Sequence, residues 1–185
     1  MSDLVAVILA AGKGTRMRSK YPKVLHKVGG KPMLQHVIDA ATAAGCDEKV
    51  VIVGHEAELV EAMVGDQGKI ALQAEQLGTG HAVMQTAEAL QGFTGTALIL
   101  CGDTPLLDGE ELKKFCEAHK ASGAAATVLT AIMDDPFGYG RIIRDADGNV
   151  QGIVEQKDAT EAQKAIKEIK KQKNIYLLLI IILKF

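Results

Sequence analysis

Near its start the chain carries an unbroken apolar run that leads directly into a glycine-rich loop. The run, Leu4–Leu9, contains two valines and an isoleucine and no polar residue, which is typical of a strand buried on both faces of a parallel sheet. Two alanines follow it, and then Gly12 and Gly14. Glycine permits the tight turns that direct several backbone N–H groups at one anion. The stretch therefore predicts an α/β fold with a ligand-binding loop after its first strand.

Arg16 and Lys23 add two positive charges to this loop, which favours a polyphosphate ligand. The loop is not a Walker A motif, because neither Lys13 nor Lys69, each of which follows a glycine, is followed by Ser or Thr. A dinucleotide-binding fingerprint is also incomplete, because Met17 occupies the place of its third glycine. A glycine turn that binds no ligand is the remaining alternative.

Apolar strand patterns alternate with helical patterns as far as residue 120. Strands are predicted over 4–9, 49–53, 70–73 and 96–101, and helices over 32–45, around 59–63, over 81–90 and over 110–120. This alternation predicts a mostly parallel sheet with helices on both faces. From residue 124 the pattern changes, and we expect one long strand over 124–132 and a hairpin of 141–144 with 150–155.

Polar residues stand at the carboxyl ends of predicted strands, where open α/β sheets bind ligands. Gln73 has an amide that can both donate and accept hydrogen bonds to a ligand, whereas the alternative for this segment is a glycine turn in which Thr79 caps the helix that follows. Asp103 is placed either to hold Mg²⁺ or to cap the next turn. Glu155, which ends a predicted strand, can accept hydrogen bonds from a ligand or pair with Lys157 on the surface.

Composition argues against several classes of function. The chain has 185 residues, of which 48% are hydrophobic and 24% charged, and a net charge of −2. These values indicate one globular domain and give no support for nucleic-acid binding. The three cysteines are far apart, so neither a disulfide framework nor a zinc site is predicted. The start shows no signal-peptide pattern, and we expect a cytoplasmic protein without a membrane partner.

Several ordered motifs carry a resemblance to a known family. They are LAAGKGTRM and PK (9–17 and 22–23), QAEQLGTGHA (73–82), GDTPL (102–106), DPFGYGRI (135–142) and IVEQKDAT (153–160). Together they resemble the sugar-nucleotide pyrophosphorylases. The strongest resemblance is to the N-terminal half of the bacterial bifunctional N-acetylglucosamine-1-phosphate uridyltransferases/glucosamine-1-phosphate acetyltransferases, and it runs from about Val5 to Ile169.

The resemblance implies a Rossmann-like nucleotidyltransferase fold and a Mg²⁺-dependent reaction. UTP and N-acetylglucosamine 1-phosphate would give UDP-N-acetylglucosamine, a cell-wall precursor, and pyrophosphate. Arg16 and Lys23 would neutralise the phosphates, and Asp103 would hold the Mg²⁺. In the family, residues matching Gln73, Gly78 and Thr79 contact the uridine, and residues matching Gly140 and Glu155 contact the sugar. The nucleotide- and substrate-binding residues carried over are Leu9, Ala10, Ala11, Gly12, Lys23, Gln73, Gly78, Thr79, Cys101, Gly102, Asp103, Gly140 and Glu155.

After Ile169 the resemblance stops. We expect a nucleotidyltransferase domain over 1–169, with an incomplete C-terminal part, and a Lys/Ile/Leu-rich tail over 170–185. Lys170 stands where the family has a sugar-binding asparagine, and the family's second metal ligand and its trimerising acetyltransferase domain have no counterpart. We interpret the tail as an abnormal end rather than a membrane anchor, because its apolar run is shorter than the about twenty residues that span a bilayer. Such a tail is suited to covering an exposed sheet edge or to aggregating.

Two other functions remain open on the sequence. One is a related pyrophosphorylase with another base or sugar, such as a molybdopterin guanylyltransferase-like enzyme, although residues 73–82 argue against it. The other is a nucleotide-binding fragment without catalysis. Pyrophosphate release with UTP and a sugar phosphate, compared with binding of UTP alone, distinguishes these possibilities.

Overall fold

The computed structural model describes residues 3–12, 14, 17, 19, 21–170 and 181–184. These residues form two compact units, the first of residues up to 127 together with 181–184 and the second of residues 128–170. The predicted division into a domain over 1–169 and a tail over 170–185 stays a prediction. Within the described ranges, every helix is too short or too polar to cross a membrane.

Apart from one pair of two-residue strands, strands and helices alternate as far as Ser122, and four strands then follow one another. The strands are β1 (Leu4–Leu9), β2 (Lys27–Val28), β3 (Lys31–Pro32), β4 (Glu48–Val53), β5 (Lys69–Leu72), β6 (Thr96–Cys101), β7 (Ala126–Val128), β8 (Thr130–Ile132), β9 (Gly140–Arg144), β10 (Val150–Val154), β11 (Glu168–Lys170) and β12 (Ile181–Lys184). The helices are α1 (Met33–Ala43), α2 (Ala57–Val64), α3 (Thr79–Met84), α4 (Gly109–Ser122) and α5 (Glu161–Lys164), with 3₁₀ turns at Lys23–Leu25 and Gly65–Gln67.

The main sheet of the first unit has the strand order β5-β4-β1-β6-β12-β7. β1 is parallel to both neighbours, with Val7 beside Val50 in β4 and beside Ile99 in β6. β5 is parallel to β4. The mostly parallel α/β sheet that the sequence predicted is therefore confirmed. β12 pairs antiparallel with β6, so residues 181–184 cover the edge of that strand.

Both faces of β1 are buried. Val5 and Val7 belong to a cluster on one face that also contains Leu90. Ala6 and Ile8 point to the opposite face, because side chains alternate along a strand, and both are 0% exposed. This double burial accounts for the lack of polar residues in the run that opens the chain.

Helix α1 begins and ends as its sequence predicts. It starts after Pro32 and is closed by Gly45, whose φ is +93°. The N–H groups of Gly45 and Cys46 donate to the carbonyl oxygens of Thr42 and Ala41, each at 3.0 Å. This pair of bonds is a Schellman motif, which favours glycine because its αL conformation costs other residues energy.

Two predicted elements are wrong in extent. The helix expected over 81–90 ends at Met84, and turns follow in which both the backbone N–H and the hydroxyl of Thr86 donate to the carbonyl oxygen of Val83. A hydroxyl bond of this kind competes with continued helical bonding. The strand expected over 124–132 is two strands in different sheets, because β8 pairs with β11. An apolar pattern reports burial and does not report which strand is the neighbour.

The second unit is an antiparallel sheet with the order β10-β9-β11-β8. It contains the predicted hairpin, formed by β9 and β10. The carboxylate of Asp145 accepts hydrogen bonds from the backbone N–H groups of Asn149 at 2.8 Å and Asp147 at 3.0 Å. The bonds from Asn149 and its neighbours lower the pKa of Asp145 below its usual value, so the charged carboxylate favours the turn.

Candidate functional site

The carboxyl ends of the parallel strands bring the predicted nucleotide-side residues to one edge of the first unit's sheet. The ladder continues one residue beyond each strand, since Ala10 donates to Ile52, Gln73 to Val53 and Gly102 to Leu9, at 2.8–2.9 Å. The predicted residues that lie at or just beyond these ends are Leu9, Ala10, Ala11, Gly12, Gln73, Gly78, Thr79, Cys101, Gly102 and Asp103. This is the crevice in which open α/β sheets bind ligands.

A close ion pair joins the glycine loop to the end of β6. Nζ of Lys23 lies 2.5 Å from Oδ2 of Asp103, and the two side chains are 38% and 35% exposed. Gly14 has a φ of +56°, and a Cβ added there would lie 2.9 Å from Cβ of Lys23. The loop thus passes closely over Lys23 only because residue 14 lacks a side chain. Arg16, the other predicted cation, lies outside the described residues.

The turn after β6 leaves the Asp103 side chain available to the site. The hydroxyl of Thr104 donates to the carbonyl oxygen of Cys101 at 2.5 Å and holds the turn. The Asp103 carboxylate accepts from Lys23 and, within the described part of the chain, makes no bond to this turn, so the alternative of a capping aspartate is wrong. A Cβ added at Gly102 would lie 3.1 Å from the carbonyl oxygen of Leu9, so a side chain at position 102 would be crowded by the end of β1.

Gln73 is held inside the sheet edge with only 3% of its surface exposed. Its Nε2 lies 3.1 Å from the carbonyl oxygen of Gly78 and 3.2 Å from Nδ1 of His81. Gly78 precedes α3 with a φ of +102°, and no side chain caps the helix. The alternative in which Thr79 caps this helix is therefore wrong. The sequence reasoning did not assign a role to His81.

An open cleft of ≈ 560 Å³ lies at the ends of β4 and β5. A Cβ added at Gly54 would lie 2.7 Å from Nε2 of Gln76 and 2.9 Å from the carbonyl oxygen of Ala11. The first loop and the segment after β5 therefore meet at Gly54, which the sequence reasoning missed. The one feature of the sequence that could have indicated Gly54 is its position directly after a buried strand. The cleft is lined by Gly54, His55, Ala74, Glu75, Gln76 and Leu77.

In the second unit, the two predicted sugar-side residues lie close together. A Cβ added at Gly140 would lie 3.3 Å from Oε2 of Glu155. Gly140 is also the register neighbour of Lys170 in β11. Arg141 is 1% exposed and donates to the carbonyl oxygens of Tyr139 and Lys164 and to Gln156. This buried guanidinium fixes the bend that carries Gly140.

The Gln156 side chain also forms a hydrogen bond to a second residue of that bend. Its Oε1 accepts from the backbone N–H of Gly138 at 3.1 Å and from Nη2 of Arg141 at 2.8 Å. Buried polar groups that are all hydrogen-bonded make a segment rigid. Gly138 and Gly140 of the DPFGYGRI motif are therefore held in place by Arg141 of the same motif and by Gln156, which lies beyond β10.

Asp103 is the residue at the sheet edge that is suited to a metal ion. The described residues contain no group of three His, Cys, Asp or Glu that could hold a metal by themselves. Mg²⁺, however, commonly uses one or two carboxylates and takes its other ligands from phosphates and waters. A half-exposed carboxylate that already faces a cation at 2.5 Å fits a Mg²⁺ ion that arrives with a triphosphate.

Two of the three cysteines are poor candidates for nucleophilic catalysis. Burial raises the pKa of the Cys46 thiol to about 12 and that of Cys116 to about 11. Because the thiolate is the reactive form, both are protonated at neutral pH. Neither thiol is therefore suited to act as a nucleophile at neutral pH.

Comparison with known proteins decides the family. The model of the MobA-like NTP transferase domain matches residues 6–165. The chain belongs to this family. The phosphate-rich ligand of an NTP transferase agrees with the glycine loop and with the lysine at its end.

Curated relatives are similar over most of this chain. It is 57% identical over 167 residues to the Bifunctional protein GlmU of Pelotomaculum thermopropionicum, and 56% identical over 169 residues to that of Bacillus cereus strain AH187. These matches cover 90% and 91% of this chain but 36% and 37% of the relatives. The chain therefore spans little more than a third of their length.

Solved structures of sugar nucleotidyltransferases share the fold. A Bacillus anthracis protein described as a glucose-1-phosphate thymidylyltransferase, in complex with sucrose, matches with a TM-score of 0.79 and 19% identity over 98% of this chain and 71% of its own. A UDP-glucose pyrophosphorylase complexed with UDP-glucose matches with a TM-score of 0.72 and 18% identity, over 97% and 75%. The Rossmann-like nucleotidyltransferase fold is thereby confirmed.

The Lys23–Asp103 pair predicts a specific loss on removing the lysine. Lys23→Met should weaken UTP binding about tenfold or more, because the charge-assisted bond that Lys23 would make to a phosphate is lost, while the affinity for uridine stays the same. Isothermal titration calorimetry of both ligands measures the difference. Lys31→Met, which breaks the similarly exposed 2.6 Å pair with Asp39, is the control and should change neither affinity. An equal loss for uridine and UTP would contradict the role.

Proposed function

We propose that the chain transfers a uridylyl group, converting UTP and N-acetylglucosamine 1-phosphate into UDP-N-acetylglucosamine and pyrophosphate. The observation that carries the proposal is the Lys23–Asp103 pair at 2.5 Å, at the same sheet edge as Gln73. The 56–57% identity to GlmU proteins across 90% of the chain supports it. The proposal is confined to the third of those relatives that this chain matches.

The reaction needs one bond to form and one to break. A phosphate oxygen of the sugar phosphate attacks the α-phosphorus of UTP, and the bond from that phosphorus to the oxygen bridging to the β-phosphate breaks, so that pyrophosphate leaves. Such a transfer depends mainly on alignment and on neutralising charge. Lys23, together with Arg16, would supply positive charge to the triphosphate. When bound, Mg²⁺ would neutralise further charge, and Asp103 would hold it.

Lys23 can change partners without a large energetic cost. A half-exposed ion pair contributes at most about 1 kcal/mol, so a triphosphate can replace Asp103 as the partner of the ammonium group. The exchange would leave a free carboxylate beside the bound phosphates. The pair therefore suits an unliganded state that is ready to receive a nucleotide together with its cation.

The remaining assignments divide between base and sugar. Gln73, Gly78 and Thr79 would contact the uridine. The other nucleotide- and substrate-binding residues at this edge would be Leu9, Ala10, Ala11, Gly12, Cys101 and Gly102. In the second unit, Gly140 and Glu155 would contact the sugar, which is supported by their mutual approach and by the rigid bend that Arg141 holds. The cytoplasm remains the predicted location.

The proposed reaction is tested directly by pyrophosphate release. The purified chain is supplied with Mg²⁺, one of UTP, CTP, GTP or dTTP, and either N-acetylglucosamine 1-phosphate or glucose 1-phosphate. We expect the fastest release with UTP and N-acetylglucosamine 1-phosphate, no release without sugar phosphate, and a product with the mass of UDP-N-acetylglucosamine. Faster release with GTP would favour a guanylyltransferase. UTP binding without any release would favour a non-catalytic nucleotide-binding protein.

Position 170 provides a gain-of-function prediction. Lys170 is the register neighbour of Gly140, and the family resemblance expects a sugar-binding asparagine there. Lys170→Asn should raise kcat/KM for N-acetylglucosamine 1-phosphate about tenfold, because a hydrogen bond to a sugar hydroxyl is restored, with no change in UTP affinity. Lys167→Asn, which removes the exposed Lys167–Asp134 pair in the same unit, should have no effect. The assignment is wrong if both variants behave alike.

A further inference from the structure

The Gln73 amide has only one physically acceptable orientation. The atom assigned as Nε2 lies 3.1 Å from the carbonyl oxygen of Gly78. A backbone carbonyl can only accept a hydrogen bond, so turning the amide over would place two oxygens against each other. The NH₂ group therefore faces Gly78, and the orientation does not depend on how nitrogen and oxygen were assigned.

Burial decides which tautomer of His81 suits this contact. The same NH₂ group lies 3.2 Å from Nδ1 of His81, while Nε2 of Gln85 lies 3.2 Å from Nε2 of His81 and 3.0 Å from the His81 carbonyl oxygen. A neutral imidazole has one acceptor nitrogen, so it can accept from only one of the two amides. An unpaired donor is costly where it is buried. Gln73 is 3% exposed, whereas Gln85 is only partly buried and keeps its bond to the carbonyl. Nδ1 therefore accepts from Gln73, and the ring proton lies on Nε2.

The two bonds use both N–H groups of Gln73 and leave its carbonyl oxygen. One hydrogen is directed to Gly78 and the other to His81, so the amide has no donor left for a ligand. Among the described residues, the one fully buried side-chain nitrogen or oxygen without a partner is Nε2 of His26. Oε1 of Gln73 accepts no bond from any described residue, and it is not among the fully buried atoms. This oxygen therefore keeps contact with solvent, although the residue as a whole is only 3% exposed.

We propose that His81 is a positioning residue that sets base specificity. It accepts the hydrogen bond from the second N–H of Gln73, so that only Oε1 of Gln73 faces the nucleobase. The inference rests on the proposed function, because it requires that the nucleobase bind at the sheet edge that carries Gln73. An acceptor at this point suits a base whose ring nitrogen carries a hydrogen, as N3 of uracil or thymine does. It disfavours cytosine, which presents a lone pair at N3.

Removing the acceptor at residue 81 should relax this discrimination. In His81→Leu, one buried N–H of Gln73 loses its partner, and an unpaired buried donor is costly. Pairing with N3 of cytosine would then satisfy that donor, whereas uracil offers no acceptor at N3. The preference for UTP over CTP should therefore narrow about tenfold, the ratio that corresponds to one hydrogen bond.

The experiment measures the ratio of UTP to CTP affinity by calorimetry in the whole chain. The variants are His81→Leu, His81→Ala as a second truncation, and His81→Asn, whose Oδ1 can replace Nδ1 as acceptor. Gln85→Met is the matched control, because it removes the neighbour on the other side of the ring. Circular dichroism establishes which variants keep the fold. The affinity ratio of the unmodified chain can be compared with that of His81→Leu or of His81→Ala, whichever is folded.

We expect the ratio to fall about tenfold in the truncations, to recover in His81→Asn and to stay unchanged in Gln85→Met. A ratio in both truncations equal to that of the unmodified chain, or an equal fall in Gln85→Met, would overturn the role of His81 while leaving the uridylyl-transfer proposal intact. Failure of the unmodified chain to bind UTP would instead remove the proposed function, and this inference with it.

Discussion

The parallel pairing of β1 with its two neighbours is the constraint on which the nucleotide side depends. Leu9 lies in register with Ile52 on one side and with Cys101 on the other. Parallel strands end at the same edge, so the glycine loop after β1 and the Gly102–Asp103 turn after β6 must lie together. An antiparallel β1 would place these two segments at opposite ends of the sheet. Both faces of β1 are buried, which favours this central position over an edge position.

Charge balance at that edge then follows from one contact. Lys23 and Asp103 are 80 residues apart in sequence and 2.5 Å apart in the fold. Neither is deeply buried, so the pair costs little desolvation and contributes little stability. In the proposed function, the pair holds a cation and a carboxylate side by side where a triphosphate and its metal ion would bring the opposite charges. The glycine at position 14 makes the contact possible, because any Cβ there would collide with Lys23.

The sequence predicted the regular parts of the fold well because burial and capping are local signals. β1 and β6 have the predicted limits, and α1 ends at the predicted glycine. The strand over 124–132 was wrong because its apolar pattern continues while the chain changes sheets. The helix over 81–90 was wrong because the Thr86 hydroxyl competes for a backbone carbonyl. The positions of Gln73 and Asp103 at strand ends were predictable, whereas the contacts of Lys23 with Asp103 and of His81 with Gln73 required the fold.

In the proposed function, Asp103 would release Lys23 and hold the Mg²⁺ that accompanies the nucleotide. This exchange is tested by calorimetric UTP binding with and without Mg²⁺ in the unmodified chain, in Asp103→Asn and in the control Asp39→Asn. Mg²⁺ should strengthen UTP binding about tenfold or more in the unmodified chain and in Asp39→Asn, and should have little effect in Asp103→Asn. Without Mg²⁺, Asp103→Asn should bind UTP at least as tightly as the unmodified chain, because a negative charge near the phosphates is gone. An equal Mg²⁺ effect in all three proteins would contradict the account.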